Sequence, residues 1–285
     1  MKVVVCVKQV RYVYGDLPLR RIRNEIDPEK VVLMINPYDE IAVEEATRIK
    51  ERYEDCEVVL ITVGPPASEE SLRYSFALGG DRMIRIDSET DDPWSVSAIL
   101  AAVIRDLHYD IILCGKKAID SNAGLVGSFI AESLKIPQVS RIVRLELLPE
   151  ENKAVADRYL GRGDREVVEC SLPALFTVEK GLNDPRYPSL LNKFSAERKE
   201  IEVIEAASLG LSADTDMDLT RYLTLSPPRP RPKKIFTPES NLSASERMRL
   251  LMTGHRAEKE TDMIEGNPKV IAGKVAETLI QAKMT

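Results

Sequence analysis

The chain has 285 residues, enough to bury a substantial core in one large domain or two smaller ones. Its 44% apolar and 30% charged content are ordinary for a soluble globular protein, and a net charge of −6 argues against a general nucleic-acid binder. No apolar run reaches bilayer-spanning length, so an integral membrane protein is not expected. Met1–Lys8 is too short and too soon charged for a secretory h-region. The cysteines Cys6, Cys56, Cys114 and Cys170 form no CxxC pair, and the only histidines are His108 and His255. Buried free thiols, no metal site and a cytoplasmic location are therefore expected.

In chain order, β-branched runs alternate with helical periods. Val3–Val7, Val58–Val63, Met83–Ile86 and Ile111–Cys114 are short apolar runs of the kind that form buried parallel strands. Between them, Ala42, Ala46, Ile49 and Tyr53 recur at helical spacing. So do Val96, Ile99, Leu100, Val103 and Leu107, with Asp92-Pro93 as cap and first helical position. Val126, Phe129, Ile130 and Leu134 add a third period. The spacing predicts an α/β fold with a doubly wound, mostly parallel sheet.

Beyond that sheet the pattern changes. Lys153–Tyr159 and Glu166–Cys170 read as two strands joined across Gly161-Arg-Gly163, a hairpin signal. Leu172–Val178 and Ile201–Ile204 add strands. A stiff loop from Gly181 follows the first of these, with Pro185 and Pro188 fixing two φ angles and restricting Asp184 and Tyr187. It leads into Leu190, Leu191 and Phe194 at helical spacing, then the charged run Glu197–Glu200. A docking surface and a core-facing helical turn both fit these residue types. The acidic stretch Ala213–Asp218 and the connector Pro227-Pro-Arg-Pro-Arg-Pro232 then lead to helical patterns at Ala244–Thr253 and Val270–Met284. The expected division is an α/β domain over 1–205 and a linker plus extended C-terminal arm over 206–285. That arm is expected to wrap a partner, the alternative being that it packs on its own domain.

Catalytic constellations are missing. No Ser/His/Asp or Cys/His set can be drawn from two such histidines, and neither a GxGxxG after the first strand nor a Walker A motif occurs. A binder is expected rather than a catalyst, with no catalytic residues. In a doubly wound sheet the ligand site lies beyond the strands' carboxyl ends, at the switch in strand order. Four segments arrive there: Cys6-Val7-Lys8, Asn36-Pro37-Tyr38-Asp39, Val63-Gly64-Pro65, and Gly115–Val126. In the last, Gly115 suits close approach of a ligand to backbone, Asp120 or Ser121 suits a helix cap, and Gly124 and Gly127 suit tight contact at the helix's first turn. A helix N-terminus there suits a phosphate, although a capped helix after a strand is common in any α/β domain.

Taken together, several segments resemble the electron-transfer flavoprotein β-subunit family. They are Val5–Val10, Ile35–Ala46, Ala77–Arg82, Gly115–Asp120, and Leu172–Val178 leading into Gly181–Leu190. The resemblance covers roughly residues 1–205 and, loosely, the tail. It implies a nucleotide-α-hydrolase-like fold and a non-catalytic electron-carrier subunit, paired with an α subunit that holds or shares the FAD. The dimer would take electrons from acyl-CoA dehydrogenase-type flavoproteins, in fatty acid oxidation for example. It would pass them to a quinone oxidoreductase or other acceptor.

The resemblance further implies a structural AMP held by Cys6, Asn36, Pro37, Tyr38, Asp39, Val63, Gly115, Lys116, Lys117, Ala118, Ile119, Asp120, Ser121, Asn122, Ala123, Gly124, Leu125 and Val126. A partner-recognition loop of Arg186, Tyr187, Pro188, Ser189, Leu190, Leu191 and Phe194 is implied too, with Leu190 its anchor. Departures from the family pattern are Leu125 where a side-chain amide is usual, the altered hairpin turn Gly161–Asp164, and Glu197 and Glu200 diluting Arg198 and Lys199. The alternatives are an electron-bifurcating β subunit with a second FAD in place of AMP and, more distantly, a stand-alone nucleotide-binding enzyme of ATP-pyrophosphatase-like fold.

Overall fold

A computed structural model describes residues 1–13, 19–20, 25–26, 28–210, 218–220, 242–253 and 266–283. Most of the acidic stretch before Asp218, the proline-rich connector and His255 fall outside these residues. Strands β1 (Lys2–Cys6), β2 (Gln9–Val13), β3 (Leu19–Arg20), β4 (Glu25–Ile26) and β5 (Val31–Ile35) precede helix α1 (Pro37–Arg52). Then come β6 (Glu57–Val63), α2 (Glu69–Leu78), β7 (Arg82–Asp87), α3 (Pro93–Arg105), β8 (Ile111–Gly115) and α4 (Val126–Leu134). The series continues with β9 (Gln138–Leu148), β10 (Lys153–Gly161), β11 (Asp164–Ser171), β12 (Ala174–Val178), α5 (Leu190–Arg198) and β13 (Glu202–Glu205). Helices α6 (Ala244–Thr253) and α7 (Pro268–Lys283) belong to a separate compact unit, Arg229–Thr285.

The first unit, Met1–Pro228, is built on a nine-stranded sheet of order β11-β10-β9-β12-β8-β1-β6-β7-β13. Strands β9, β12, β8, β1, β6, β7 and β13 run parallel, while β10 and β11 extend the sheet as an antiparallel hairpin. This is the expected mostly parallel α/β fold. Alternation along β1 shows why both faces are covered. Val3, Val5 and Val7 join one core with Ile41, Ala42, Ala46 and Ile49 of α1 and Leu72 of α2. Val4 and Cys6 join the other, with Ile99, Leu100 and Val103 of α3 and Ile130 of α4. A strand buried on both faces has no polar alternation, which is why these runs read as continuous apolar segments.

Local signals set the ends. Asp92 accepts hydrogen bonds from the N–H groups of Trp94 (2.9 Å) and Ser95 (3.1 Å), and Pro93 opens α3 as expected. The β10–β11 turn places Gly161, Arg162 and Gly163 at φ of 113°, 52° and 98°. Such angles favour glycine and match the twist of a tight hairpin. The sequence expectations do not include the β2–β5 ribbon that follows β1, the short β3–β4 pair, helix α2 or the eleven-residue strand β9. All four cysteines are free thiols; three are buried and Cys170 is partly so. Among the described residues no helix is long and apolar enough to cross a membrane.

Phe176 sits at the centre of β12 with no exposed surface. Phe176→Ala is expected to cost roughly 3–5 kcal/mol, through lost burial and the cavity left behind. Urea unfolding of the purified protein measures this, and a loss under about 1 kcal/mol would show that β12 is not central to the core.

Candidate nucleotide site and docking surface

The chain leaves β1 for β6 and β7 on one side and returns through α3 to β8 on the other. The ends of β1 and β8 therefore part at the switch point, and a cavity opens beyond them. Its base is tied together by one buried carboxylate. Asp39, in the first turn of α1, accepts from the N–H of Lys8 (2.8 Å) beyond β1 and from the N–H of Gly115 (3.0 Å) at the end of β8. A third donor is the Asn36 side-chain amide (2.9 Å), which also donates to the Lys117 carbonyl (3.0 Å). The Asn36 side-chain oxygen, Oδ1, in turn accepts from the Ile119 N–H (3.2 Å). Burial pushes Asp39 up from the ordinary 3.8 to about 7, against the pull of these donors and of the Lys8 charge.

Of the residues assigned from sequence, Cys6, Asn36, Asp39, Val63, Gly115, Lys116, Lys117, Ala118, Ser121 and Ala123 to Val126 line this cavity. The remaining five do not. Pro37 starts α1, and Tyr38 lies under the Lys116 ammonium, 4.8 Å from the ring centre. Ile119 serves Asn36, Asp120 pairs with Lys8 (3.0 Å), and the Asn122 N–H closes a turn on Ala118. Lys8, Thr62, Thr90, Asp91 and Pro93 also line the cavity but were not assigned. Asp92-Pro93 was the signal for the last group, because a capped helix start after β7 must face the same end of the sheet.

One expectation about Gly115–Val126 needs correction. Helix α4 begins at Val126, its N-cap is Leu125, and no side chain caps it. Asp120 lies too early to cap it and instead accepts from the Ser121 N–H (2.6 Å). The first-turn N–H groups of α4 thus lack a side-chain acceptor beside the cavity. Gly115, in turn, is required by the protein's own packing. A Cβ there would overlap Asp39 Oδ1 and come within 2.7 Å of Tyr38 Cβ. Gly127 is a packing glycine as well, since a Cβ would lie 2.8 Å from Thr177 Cγ2.

The chemistry of the cavity follows. Val63, Val96, Leu100 and Val126 give it apolar walls, and the α4 N-terminus with Lys8, itself paired with Asp120, brings positive charge to its rim, where Lys116, Lys117 and Asp91 also stand. The α3 end is different. Its first N–H groups are already held by Asp92, and Asp218 accepts from the hydroxyls of Thr90 (2.7 Å) and Ser95 (2.8 Å).

The segment after β12 forms a second surface. Tyr187, Leu190, Leu191 and Phe194 are 94%, 68%, 80% and 57% exposed, so the core-facing alternative does not hold. The Ser189 hydroxyl caps α5 by accepting from the Asn192 N–H (3.1 Å). Arg186 is turned back onto α1, where it pairs with Glu44 (2.8 Å) and Glu51. Burial pushes Glu44 up, yet hydrogen bonds from Arg186 and Arg48 hold it below the ordinary glutamate range. The Asn183 amide donates to Glu45 (2.9 Å) and to the Ile41 carbonyl (3.1 Å).

Known proteins place this geometry. The family model described as "Electron transfer flavoprotein domain" matches residues 25–209. Electron transfer flavoprotein subunit beta of Bacillus subtilis is 36% identical over 223 residues, covering 76% of this chain and 85% of the relative. The chain belongs to the electron transfer flavoprotein β-subunit family. The Homo sapiens subunit of the same name is 33% identical, with 79% of this chain and 87% of the relative covered. The caffeyl-CoA reductase-Etf complex subunit CarD of Acetobacterium woodii is 35% identical, over 75% and 82% respectively. Electron transfer is thus the role of the family to which this α/β chain belongs.

The raised Asp39 pKa has a defined sign. Between about 3.8 and about 7 the folded protein holds a proton that the unfolded chain has lost. Stability therefore falls as pH rises through that window and the cost is constant above it. Asp39→Asn removes the titration but turns an amide N–H toward the Lys8 N–H, at a cost of about 1–3 kcal/mol. Chemical unfolding at several pH values is expected to show wild type losing stability relative to Asp39→Asn from pH 4 to 7. Parallel curves would refute a raised Asp39 pKa.

Proposed function

We propose that this chain is the β subunit of a heterodimeric electron-transfer flavoprotein, paired with an α subunit that holds or shares the FAD. It acts as an electron carrier and performs no bond chemistry of its own. Electrons come from acyl-CoA dehydrogenase-type flavoproteins and leave to a quinone oxidoreductase or other acceptor, in the cytoplasm. The observation that carries this proposal is the docking surface: four large apolar or aromatic side chains exposed on a short capped helix and the loop before it. Such anchors suit recognition of a partner protein. Residues 1–205 serve as the nucleotide-binding domain, and 206–285 as the arm that contacts the α subunit. Exposed Met248 on α6 and Val270, Val275 and Ile280 on α7 supply apolar contacts for that arm.

The ligand we assign to the cavity is AMP. A phosphate fits the uncapped start of α4 near Lys8, and an adenine-sized group fits the apolar walls. A second FAD, as in an electron-bifurcating subunit, needs room for a pyrophosphate and a further ring system. The cavity does extend toward α3, but there Asp92 and Asp218 already hold the donors, and their charge opposes phosphate. A stand-alone nucleotide-processing enzyme is disfavoured because the chain passes from Lys8 directly into β2, with no glycine-rich loop after β1.

Two measurements test this. Heat-denatured heterodimer, chromatographed for released nucleotides, is expected to give one AMP and one FAD; two FAD without AMP would establish the bifurcating alternative. Leu190→Ala is expected to slow reduction of the heterodimer by an acyl-CoA dehydrogenase with its acyl-CoA about tenfold or more, at unchanged FAD content. Wild-type rates in that variant would remove Leu190 as the anchor.

A further inference from the structure

We propose that Arg73, on α2, is the positioning residue of the docking helix; this rests on the docking role just assigned to α5. Helix α5 has only nine residues and buries one of them, Ala196. A helix that short is marginal in water by itself. With its apolar side chains turned outward, it also lacks the hydrophobic face that normally holds a surface helix down. Something polar must fix it.

The Arg73 guanidinium does so from a neighbouring element. Its Nη1 donates to the carbonyls of Ala196 (2.5 Å), Glu197 (3.2 Å) and Lys199 (2.9 Å). The last carbonyls of a helix have no partners within it, and a charged donor satisfies them while complementing the helix dipole. The other end is tied to the same α2. The Asn192 amide donates to the Ala77 carbonyl (3.1 Å). Lys199, just past α5, sits over the Phe76 ring at 5.7 Å from its centre. Phe194 thus lies between two attachments to α2, with Leu190 and Leu191 just ahead of the first, and α2 is itself rooted in the core through Leu72 and Leu78.

Arg73 is not among the exposed anchors, so its effect on docking would run through pre-organisation. An ordered helix spares the partner the entropy of ordering it on binding. Loss of the clamp lets the last turn open and weakens docking while leaving the electron-transfer step in the docked complex intact.

The heterodimer with Arg73→Met, which keeps length but removes the donors, tests this against Arg73→Lys, which restores a cationic donor. Hydrogen exchange at residues 193–199 is expected to be about tenfold faster in Arg73→Met and within about twofold of wild type in Arg73→Lys. With an acyl-CoA dehydrogenase and its acyl-CoA, KM for the heterodimer is expected to rise by about the same factor in Arg73→Met, with kcat kept. Unchanged exchange in Arg73→Met, or equal loss in both variants, overturns the clamp. Leu190→Ala in the same assay separates the two ideas. No rise in KM there removes the docking role of α5, whereas the exchange result judges Arg73 without any donor.

Discussion

A doubly wound sheet must open where its chain reverses direction across β1, and the carboxylate of Asp39 is what holds the opening together. One oxygen takes the Lys8 N–H and the other takes the Gly115 N–H, so the ends of β1 and β8 are pinned to the first turn of α1. Withdrawal of a carboxylate from water is costly, and the three donors offset only part of that cost, as the raised pKa shows. Glycine at 115 follows directly. Any side chain there would stand where Asp39 Oδ1 stands, and the pin would be lost. A glycine that reads in sequence as an invitation to a ligand also, in this fold, makes room for the protein's own carboxylate.

The exposed helix α5, proposed as a docking surface, follows the opposite logic. The sheet is held by apolar burial on both faces, whereas α5 keeps its apolar residues in solvent and is held by polar ties at its ends. The two strategies suit their tasks. Burial is non-directional and gives a core its stability; a few directional hydrogen bonds fix an exposed segment without using the side chains a partner needs. Arg186 serves this scheme from below, because its pairing with Glu44 and Glu51 faces α1 while Tyr187 beside it faces out. Burial of the Glu44 carboxylate makes that pair consequential, since loss of the arginine would leave a charge with little water around it and only Arg48 as its partner.

Much of the sheet was legible because a parallel strand covered on both faces shows itself as a short β-branched run, as in Val3–Val7 and Ile111–Cys114. The Asp92-Pro93 start and the Gly161–Gly163 turn were legible because their residue types fit few other backbones. Strand β9 was not, although Arg144, Leu145, Glu146 and Leu147 alternate in the manner of a half-covered strand. The β2–β5 ribbon was missed because Gln9–Val13 follows β1 after two residues and reads as its continuation. At the site, a ligand-facing position is set by topology, so the segments could be gathered from sequence. Which residues within them turn outward could not. Tyr38, Ile119 and Asp120 do not line the cavity, and each is engaged instead by Lys116, Asn36 or Lys8, through pairings between segments far apart in sequence. Arg73 was invisible for the same reason: its partners are backbone carbonyls more than a hundred residues away, and carbonyls carry no sequence signal.

One helix joins the two surfaces. The N-terminal turn of α1 supplies Asn36 and Asp39 to the base of the cavity, and the same helix further along supplies Glu44, Glu45 and Glu51 to the docking loop. Twelve residues separate Asp39 from Glu51, about 18 Å of helix, and over that length an α-helix behaves as a nearly rigid rod. A ligand that binds only the folded protein stabilises it by RT ln(1 + L/Kd), which rises with the free ligand concentration L. One seated at the cavity would favour the arrangement of β1, β8 and α1 that Asp39 pins, and the same α1 carries the loop to which a docking role is proposed.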